Sequence, residues 1–193
     1  MWISVNQKET IIPGEVLEKE LIKKCRHNNE AAFGELMQRY RKQLFSYLFR
    51  ICGNRMAAED IFQDTLIKVW KGLRSYNEQN KFSSWLFSIA HNAAMDYLRN
   101  SSIRKSSSLE ESYELPDDNN PHKNFEEKES YQMIMDAVNE LPDKQKNVFL
   151  LRQHGGMSFK EIATEMDQPL NTVLGHMHYA VSKIRKKLSE EYG

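Results

Sequence analysis

The sequence predicts an all-α protein in which two helical domains are joined by a flexible acidic linker, with a helix-turn-helix in the second domain. Apolar residues recur at intervals of three and four along most of the 193-residue chain, which is the spacing of one helical face. No segment shows a convincing strand pattern or the turn residues of a β-hairpin. Residues 101–129, between the two patterned segments, are rich in serine and acidic residues. Together these observations favour two helical bundles over any sheet-containing fold.

The first predicted domain covers residues 15–100. Its first strong helix ends at Gly53 and Asn54, because both residues tolerate left-handed backbone angles. The second helix starts near Met56, and the third begins at Ser83 or Ser84 and reaches Leu98. The apolar positions that define the first of these helices are Phe33, Leu36, Met37, Tyr40, Leu44, Tyr47 and Leu48. Those of the second are Ile61, Leu66, Val69 and Trp70.

The predicted linker, residues 101–129, carries 4 basic and 8 acidic residues, a net charge of 4 − 8 = −4. The segment before it carries 15 basic and 11 acidic residues, a net charge of +4, although the whole chain is neutral. Such a polar stretch buries too little apolar area to offset its ordering entropy, so we expect it to be flexible. The charge asymmetry points to charged partners.

The second predicted domain covers residues 130–190. Pro142 opens one of its helices, and Gly155 and Gly156 end that helix. Ser158 and Glu161 match a capping box, in which a serine and a glutamate three residues later cap a helix N-terminus. The segment 167–169, Asp-Gln-Pro, then predicts a turn. The last helix buries a single apolar stripe, formed by Val173, Met177, Ala180, Ile184 and Leu188.

Two short helices joined by a tight turn can place the second helix in the major groove of DNA. The basic residues Lys183, Arg185, Lys186 and Lys187 at the end of the last helix suit phosphates. They also suit the helix dipole, so an ordinary helical hairpin with a solvated basic end is the alternative interpretation.

A second candidate surface combines aromatic rings with basic and amide side chains. Flat rings offer stacking faces to unpaired bases, asparagine can bond a base edge, and lysine and arginine neutralise phosphates. The residues concerned are Tyr76, Lys81, Phe82, Trp85, Phe87, His91, Asn92 and Arg99. Spacings of four and eight put Trp85, Ile89 and Tyr97 near one helical face, so part of this set alternatively packs the bundle core.

A third candidate surface is acidic. Glu59, Asp60, Gln63 and Asp64 share one helical face opposite Ile61, where they could dock a basic partner helix. The alternative is a solvent-exposed face whose acidic residues are stabilised by the helix dipole near the N-terminus.

The sequence excludes several other classes. Cys25 and Cys52 are too few for a disulfide framework, so we expect two free thiols. His176 and His178 point about 200° apart on a helix, and no further ligand completes a zinc set. No catalytic or phosphate-binding motif occurs, so we expect neither an enzyme nor a cofactor. No apolar run can span a membrane and the start lacks signal-peptide order, which predicts a cytoplasmic protein.

These motifs resemble those of bacterial sigma factors. Residues 58–70, 82–92 and 96–99 read AEDIFQDTLIKVW, FSSWLFSIAHN and DYLR, and they resemble the second conserved sigma domain. Leu141-Pro142, residues 161–163 and Thr172-Val173 are similar to the fourth domain. The domain that usually lies between them is missing. That layout resembles the small extracytoplasmic-function (ECF) class.

The resemblance implies a fold and a set of partners. It implies that Asp60, Gln63 and Asp64 dock the β′ coiled coil of core RNA polymerase, and that the second domain contacts the β flap. It also implies an anti-sigma factor and promoter DNA as partners. The minus-ten contacts implied are Tyr76, Lys81, Phe82, Trp85, Asn92 and Arg99. The minus-thirty-five contacts implied are Thr172, Leu174, Gly175, His176, His178, Tyr179 and Lys183.

One departure from the family pattern affects the last of these sets. Sigma factors of this class usually carry a basic residue, a serine and an arginine after the Thr-Val pair, whereas Leu174, Gly175 and His176 stand here. The helix therefore lacks early arginines, the residues that most often contact guanine. An independent helix-turn-helix regulator and a helical adaptor that does not bind DNA are the two rival interpretations. Neither needs an acidic docking face beside exposed aromatic rings.

Overall fold

The computed structural model describes residues 13–77, 81–102 and 125–192, and this part of the chain is helical without strands, as the sequence predicts. The helices are α1 (Pro13–Arg26), α2 (Glu30–Cys52), α3 (Arg55–Gly72), α4 (Phe82–Ser102), α5 (Phe125–Asn139), α6 (Asp143–Gly155), α7 (Phe159–Glu165) and α8 (Leu170–Tyr192). Most of the predicted flexible linker lies outside the described residues. Its first two residues belong to α4, and its last five belong to α5.

Local sequence signals set the boundary between α2 and α3. Gly53 follows α2 in the left-handed region with φ of 66°, and its N–H donates to the carbonyl of Phe49 at 2.8 Å. Asn54 then caps α3, because its side-chain oxygen accepts from the N–H of Ala57 at 3.1 Å. The predicted end of the first strong helix is therefore confirmed, and Asn54 additionally starts the next one.

The first domain, α1 to α4, is built around helix α2. Helices α1, α3 and α4 each pack against α2, so its buried side chains lie in the centre of the bundle. Leu36, Tyr47 and Leu48 of α2 are fully buried there. Such burial stabilises the bundle by about 1.5–3 kcal/mol for each large apolar side chain.

The second domain, α5 to α8, confirms the predicted turns and caps. Pro142 lies at the N-cap of α6, and Gly156 ends that helix with φ of 63°. Ser158 and Glu161 form the capping box of α7, in which each side chain accepts from the backbone N–H of the other. The turn before α8 brings the N–H of Gln168 to the carbonyl of Ala163 at 3.0 Å. Helices α7 and α8 thus form the predicted helix-turn-helix.

Helix α8 packs on its domain through the predicted apolar stripe. Val173, Ala180 and Ile184 are buried, while Met177 and Leu188 are partly buried against the same core. Helices α5, α6 and α7 all contact α8.

The two domains also pack against each other. Helix α6 contacts both α2 and α4, and the buried apolar residues of the two domains form one continuous cluster. Gly155, at the end of α6, permits a close approach to α4, because a Cβ there would lie 3.1 Å from Cβ of Phe87. Within the described ranges, no helix is long and apolar enough to cross a membrane.

Candidate functional site

The acidic surface predicted on α3 is exposed. Asp60, Gln63 and Asp64 all point to solvent, on the side away from buried Ile61 and Val69. Asp64 forms an ion pair with Lys68 at 3.0 Å, in which both side chains remain about half exposed. Exposed pairs of this kind contribute about 0.2–1 kcal/mol, so a partner can displace them at low cost.

The same face of α3 also carries two large apolar side chains that the sequence reasoning missed. Met56 is 74% exposed and Ile67 is 52% exposed. At 100° per residue, both lie within about 40° of Asp60 and Gln63 around the helix axis. The signal was present in the sequence, because these two residues fall outside the apolar stripe that packs the core. The exposed face is therefore mixed apolar and acidic, a composition suited to docking a helix with basic and apolar residues.

The structure corrects the prediction for two aromatic residues near the start of α4. Tyr76 is 6% exposed and Phe82 is 2% exposed, so neither ring presents a free stacking face. The two rings form an edge contact at a centroid distance of 5.6 Å, and Tyr40 packs on Phe82 at 5.5 Å. The spacing of aromatic residues alone could not reveal this burial, because the packing partner Tyr40 comes from another helix.

Trp85 links this buried cluster to the surface. Its ring lies 4.9 Å from that of Tyr76, and it remains only partly buried. Its inner edge lies over Gly72, where an added Cβ would come within 2.9 Å of Cζ2 of Trp85. Because Gly72 has no side chain, the indole of Trp85 can pack directly against α3 at this position.

The polar residues predicted beside the rings are at the surface. Lys81, Asn92 and Arg99 are exposed on α4 or just before it, and Arg99 pairs with Asp96 at 3.4 Å. Residues 78–80 of the preceding loop lie outside the described residues. Lys81, Trp85, Asn92 and Arg99 therefore form the accessible part of this predicted surface.

Glu165, the last residue of α7, contacts this surface from the second domain. Its carboxylate accepts from Nδ2 of Asn92 at 2.8 Å and from the hydroxyl of Ser88. The first helix of the helix-turn-helix therefore lies against α4. Sequence reasoning did not find this contact, because the two residues are 73 positions apart.

A buried pair of polar side chains joins α4 to α2. The hydroxyl of Tyr47 and Nδ1 of His91 are 2.7 Å apart. Burial raises the pKa of Tyr47 well above its ordinary value and lowers the pKa of His91 to about 4. The phenol is therefore protonated and the imidazole neutral at neutral pH, and the two groups share a hydrogen bond. His91 is a structural residue that holds α4 on α2, not a base contact.

The predicted recognition surface on α8 is largely exposed, with one correction. Thr172, Leu174, His178, Tyr179 and Lys183 are exposed, and Tyr179 reaches 62%. His176 is only partly buried and lies about 80° from the centre of the apolar stripe, so it belongs to the flank of the helix and not to its outward face.

Sequence reasoning missed Asn171, which is exposed at the second position of α8. At about 100° per residue, Asn171, Gly175, His178 and Ser182 fall within about 60° of the direction opposite the stripe. The sequence period alone could have found Asn171.

The two cysteines are free thiols, with Cys25 buried and Cys52 partly buried. Burial raises the pKa of the Cys52 thiol to about 12, so it is unreactive at neutral pH. Within the described residues, no group of three or more histidine, cysteine or acidic side chains could hold a metal ion.

Each of the two helical segments of the chain matches a known family model. Residues 36–103 match the family model for sigma-70 region 2, and residues 131–188 match that for sigma-70 region 4. The ECF RNA polymerase sigma-E factor of Haemophilus influenzae is 27% identical over 90% of this chain and 96% of that protein. The ECF RNA polymerase sigma factor SigW of Bacillus subtilis is 26% identical over 91% of this chain and 99% of that protein.

Solved structures share the fold. CnrH in complex with the cytosolic domain of CnrY is similar with a TM-score of 0.60, at 20% identity over 90% of this chain and 98% of that one. The sigma factor RpoE of Bartonella quintana, in complex with the anti-sigma factor NepR, has a TM-score of 0.61 at 21% identity, over 76% of this chain and 89% of that one.

The two family matches lie in the predicted order, the first running from within α2 through α4 and the second from within α5 to within α8. They favour a polymerase-dependent factor over a stand-alone helix-turn-helix regulator, because such a regulator has no use for the region 2 domain. The chain therefore belongs to the sigma-70 family and is an ECF-class sigma factor of transcription initiation.

Proposed function

We propose that this sigma factor docks the β′ coiled coil of core polymerase through the exposed face of α3, and that α4 and α8 contact the two promoter elements. The second domain additionally contacts the β flap. With core polymerase and promoter DNA as its partners, we expect the chain to act in the cytoplasm. The observation that carries the proposal is the α3 face itself, with Met56, Asp60, Gln63 and Ile67 aligned and exposed.

The chemistry of this face suits a helical partner. Leaving Met56 74% exposed in a free protein carries no folding benefit, whereas covering it in an interface adds apolar burial. Asp60 lies between the two apolar side chains on the same stripe. A carboxylate surrounded by apolar area selects a basic side chain on the partner and rejects an acidic one.

The minus-ten surface is proposed to consist of Lys81, Trp85, Asn92 and Arg99. Lys81 and Arg99 contact phosphates, Asn92 bonds a base edge, and the accessible part of Trp85 stacks on an unpaired base. Tyr76 and Phe82 position Trp85 through ring contacts of 4.9 Å and 5.7 Å. Their roles in promoter opening are therefore indirect.

The minus-thirty-five surface is proposed to be α8. Its outward face enters the major groove, with Gly175, His178 and Tyr179 toward the bases, Leu174 at the edge of that face and Lys183 toward phosphates. Thr172 and His176 border this face, and His176 is placed to touch the DNA backbone beside the groove.

An anti-sigma factor is a further proposed partner. The structurally similar CnrH is held in complex with the cytosolic domain of CnrY, and the similar sigma factor RpoE is held in complex with the anti-sigma factor NepR. The shared helical arrangement supports a comparable inhibitor for this chain.

The docking proposal is tested by charge reversal on α3. Asp60→Lys should weaken binding to core polymerase at least tenfold, measured by fluorescence anisotropy of the labelled full chain. Glu20→Lys is the matched control, because Glu20 is an exposed acid on a different helix, α1. Circular dichroism verifies that both variants stay helical. Equal core affinity for both variants and the unmodified chain would exclude α3 as the docking surface.

A further inference from the structure

The outward face of α8 has an unusual composition in its first three turns. No lysine or arginine occurs from Leu170 to Ser182, and the first basic residue of the helix is Lys183. Recognition helices contact base edges mainly through their N-terminal residues. Arginine or lysine contacts with guanine are therefore unavailable at the positions that would meet the bases.

Asn171 supplies a different kind of base contact. It is exposed at the second position of α8 and lies on the outward face. Its carboxamide carries one donor and one acceptor side by side. That pair matches the N6 and N7 edge of adenine, and asparagine makes this bidentate contact in the major groove.

Gly175 forms a notch one helical turn after Asn171. An added Cβ at Gly175 would meet nothing within 4 Å, so the packing of the protein does not require a glycine there. A glycine inside a helix nevertheless destabilises it by comparison with alanine. Gly175 is partly buried, and its missing side chain leaves room for the close approach of a ligand.

Leu174 gives the notch an apolar border. It is 41% exposed, because it lies outside the buried stripe. Apolar side chains in the major groove contact the C5-methyl group of thymine. An apolar wall beside a notch with no side chain provides a place for that methyl group.

We propose that α8 reads adenine through Asn171 and an adjacent thymine methyl through Leu174 and the Gly175 notch, so the upstream element is specified by A·T pairs without an arginine–guanine contact. This inference rests on the proposed entry of α8 into the major groove. Lys183 and the basic residues that follow it supply sequence-independent phosphate contacts.

The first test is selection of the upstream element. Holoenzyme assembled from the full chain and core polymerase of the source bacterium is incubated with promoters whose upstream window is randomised. The proposal predicts enrichment of an adenine and a thymine at neighbouring positions. Replacing that thymine with deoxyuridine, which lacks only the methyl group, should weaken binding severalfold. Asn171→Ala should abolish the preference for adenine at one position, with at least a fivefold loss of discrimination.

A glycine pair provides the matched control. Gly175→Ala should raise the melting temperature and yet weaken binding to the selected element. Gly34→Ala should raise the melting temperature without affecting DNA binding, because Gly34 is also helical and open but lies on α2. This contrast separates a fold effect from a recognition effect.

The outcomes that overturn the proposal are distinct. A selected motif fixed by guanine, or equal binding of thymine and deoxyuridine, would refute the A·T assignment while leaving promoter recognition by α8 intact. An upstream window that shows no enrichment, with core binding preserved, would refute recognition by α8 as a whole.

Discussion

Single residues decide how α4 is held in place. His91 is 4% exposed and shares a hydrogen bond with the hydroxyl of Tyr47, and its burial favours the neutral imidazole in the folded protein. Burial lowers its pKa from 6.5 to about 4. The unfolded chain therefore binds a proton between these two values that the folded chain does not bind, and folding is disfavoured as pH falls through this window.

The first prediction concerns this linkage. Lowering the pH from 7 to 5 should cost about 2 kcal/mol of stability through His91 alone, because the imidazole titrates near pH 6.5 only in the unfolded state. Urea unfolding at both pH values measures this cost. His91→Asn, which retains an acceptor for Tyr47 and cannot be protonated, should show a smaller loss between pH 7 and 5. Parallel losses in the two proteins would contradict a neutral buried His91.

At the residue scale, the sequence predicts local features more accurately than it predicts which side chains are buried. The capping box of Ser158 and Glu161 and the helix end at Gly53 depend on neighbours within a few positions, and both are confirmed. The burial of Phe82 depends on Tyr40 and Tyr76, which lie on other elements. Spacing along one helix carries no information about such partners, so the predicted stacking faces of Tyr76 and Phe82 were wrong.

At the scale of elements, α3 shows how one helix serves two surfaces. Ile61 and Val69 fix its inner face in the core, while Met56 and Ile67 lie on the opposite side. The acidic half of the outer face was predicted from the sequence. The apolar half was not, because exposed apolar residues are common and carry a weak signal unless their position on the helix is known.

The second prediction tests the apolar half of this face. Met56→Ala should leave the free energy of unfolding within about 0.5 kcal/mol, because the side chain is mostly solvated. It should weaken core polymerase binding by fivefold or more, since buried apolar anchors in interfaces contribute about 1 kcal/mol or more. Affinity is measured by anisotropy with the labelled chain.

Leu17→Ala is the control for this measurement, because Leu17 is an exposed apolar residue on α1 at 39% exposure. It should bind core polymerase like the unmodified chain. Unchanged affinity in Met56→Ala would limit the docking surface to its polar residues.

At the scale of the whole molecule, the contact between the domains engages one exposed residue of the proposed DNA surface. Asn92 donates to Glu165 of the second domain, so its amide is engaged before any DNA arrives. The domains must separate at this point for Asn92 to meet a base. The division into two helical domains follows from patterns along the chain and could be predicted. The closed arrangement depends on packing between segments far apart in sequence, which no local pattern specifies, so it could not be predicted.

The third prediction follows from that contact. Glu165→Ala should strengthen binding of the free full chain to a single-stranded minus-ten oligonucleotide severalfold, because Asn92 is released and α7 is held less firmly on α4. Asp136→Ala is the control for lost negative charge, since Asp136 is exposed on α5. Equal increases in both variants would indicate a general charge effect in place of release of Asn92.

The most direct test of the central claim is start-site mapping in a reconstituted system. Core polymerase of the source bacterium is incubated with genomic DNA, with or without the full chain, and the 5′ ends of the transcripts are sequenced. The account predicts discrete start sites that appear only with the chain, share upstream motifs, and disappear with Asp60→Lys but persist with Glu20→Lys. A chain that binds specific duplex sites by itself and produces no new start sites with core polymerase would contradict it.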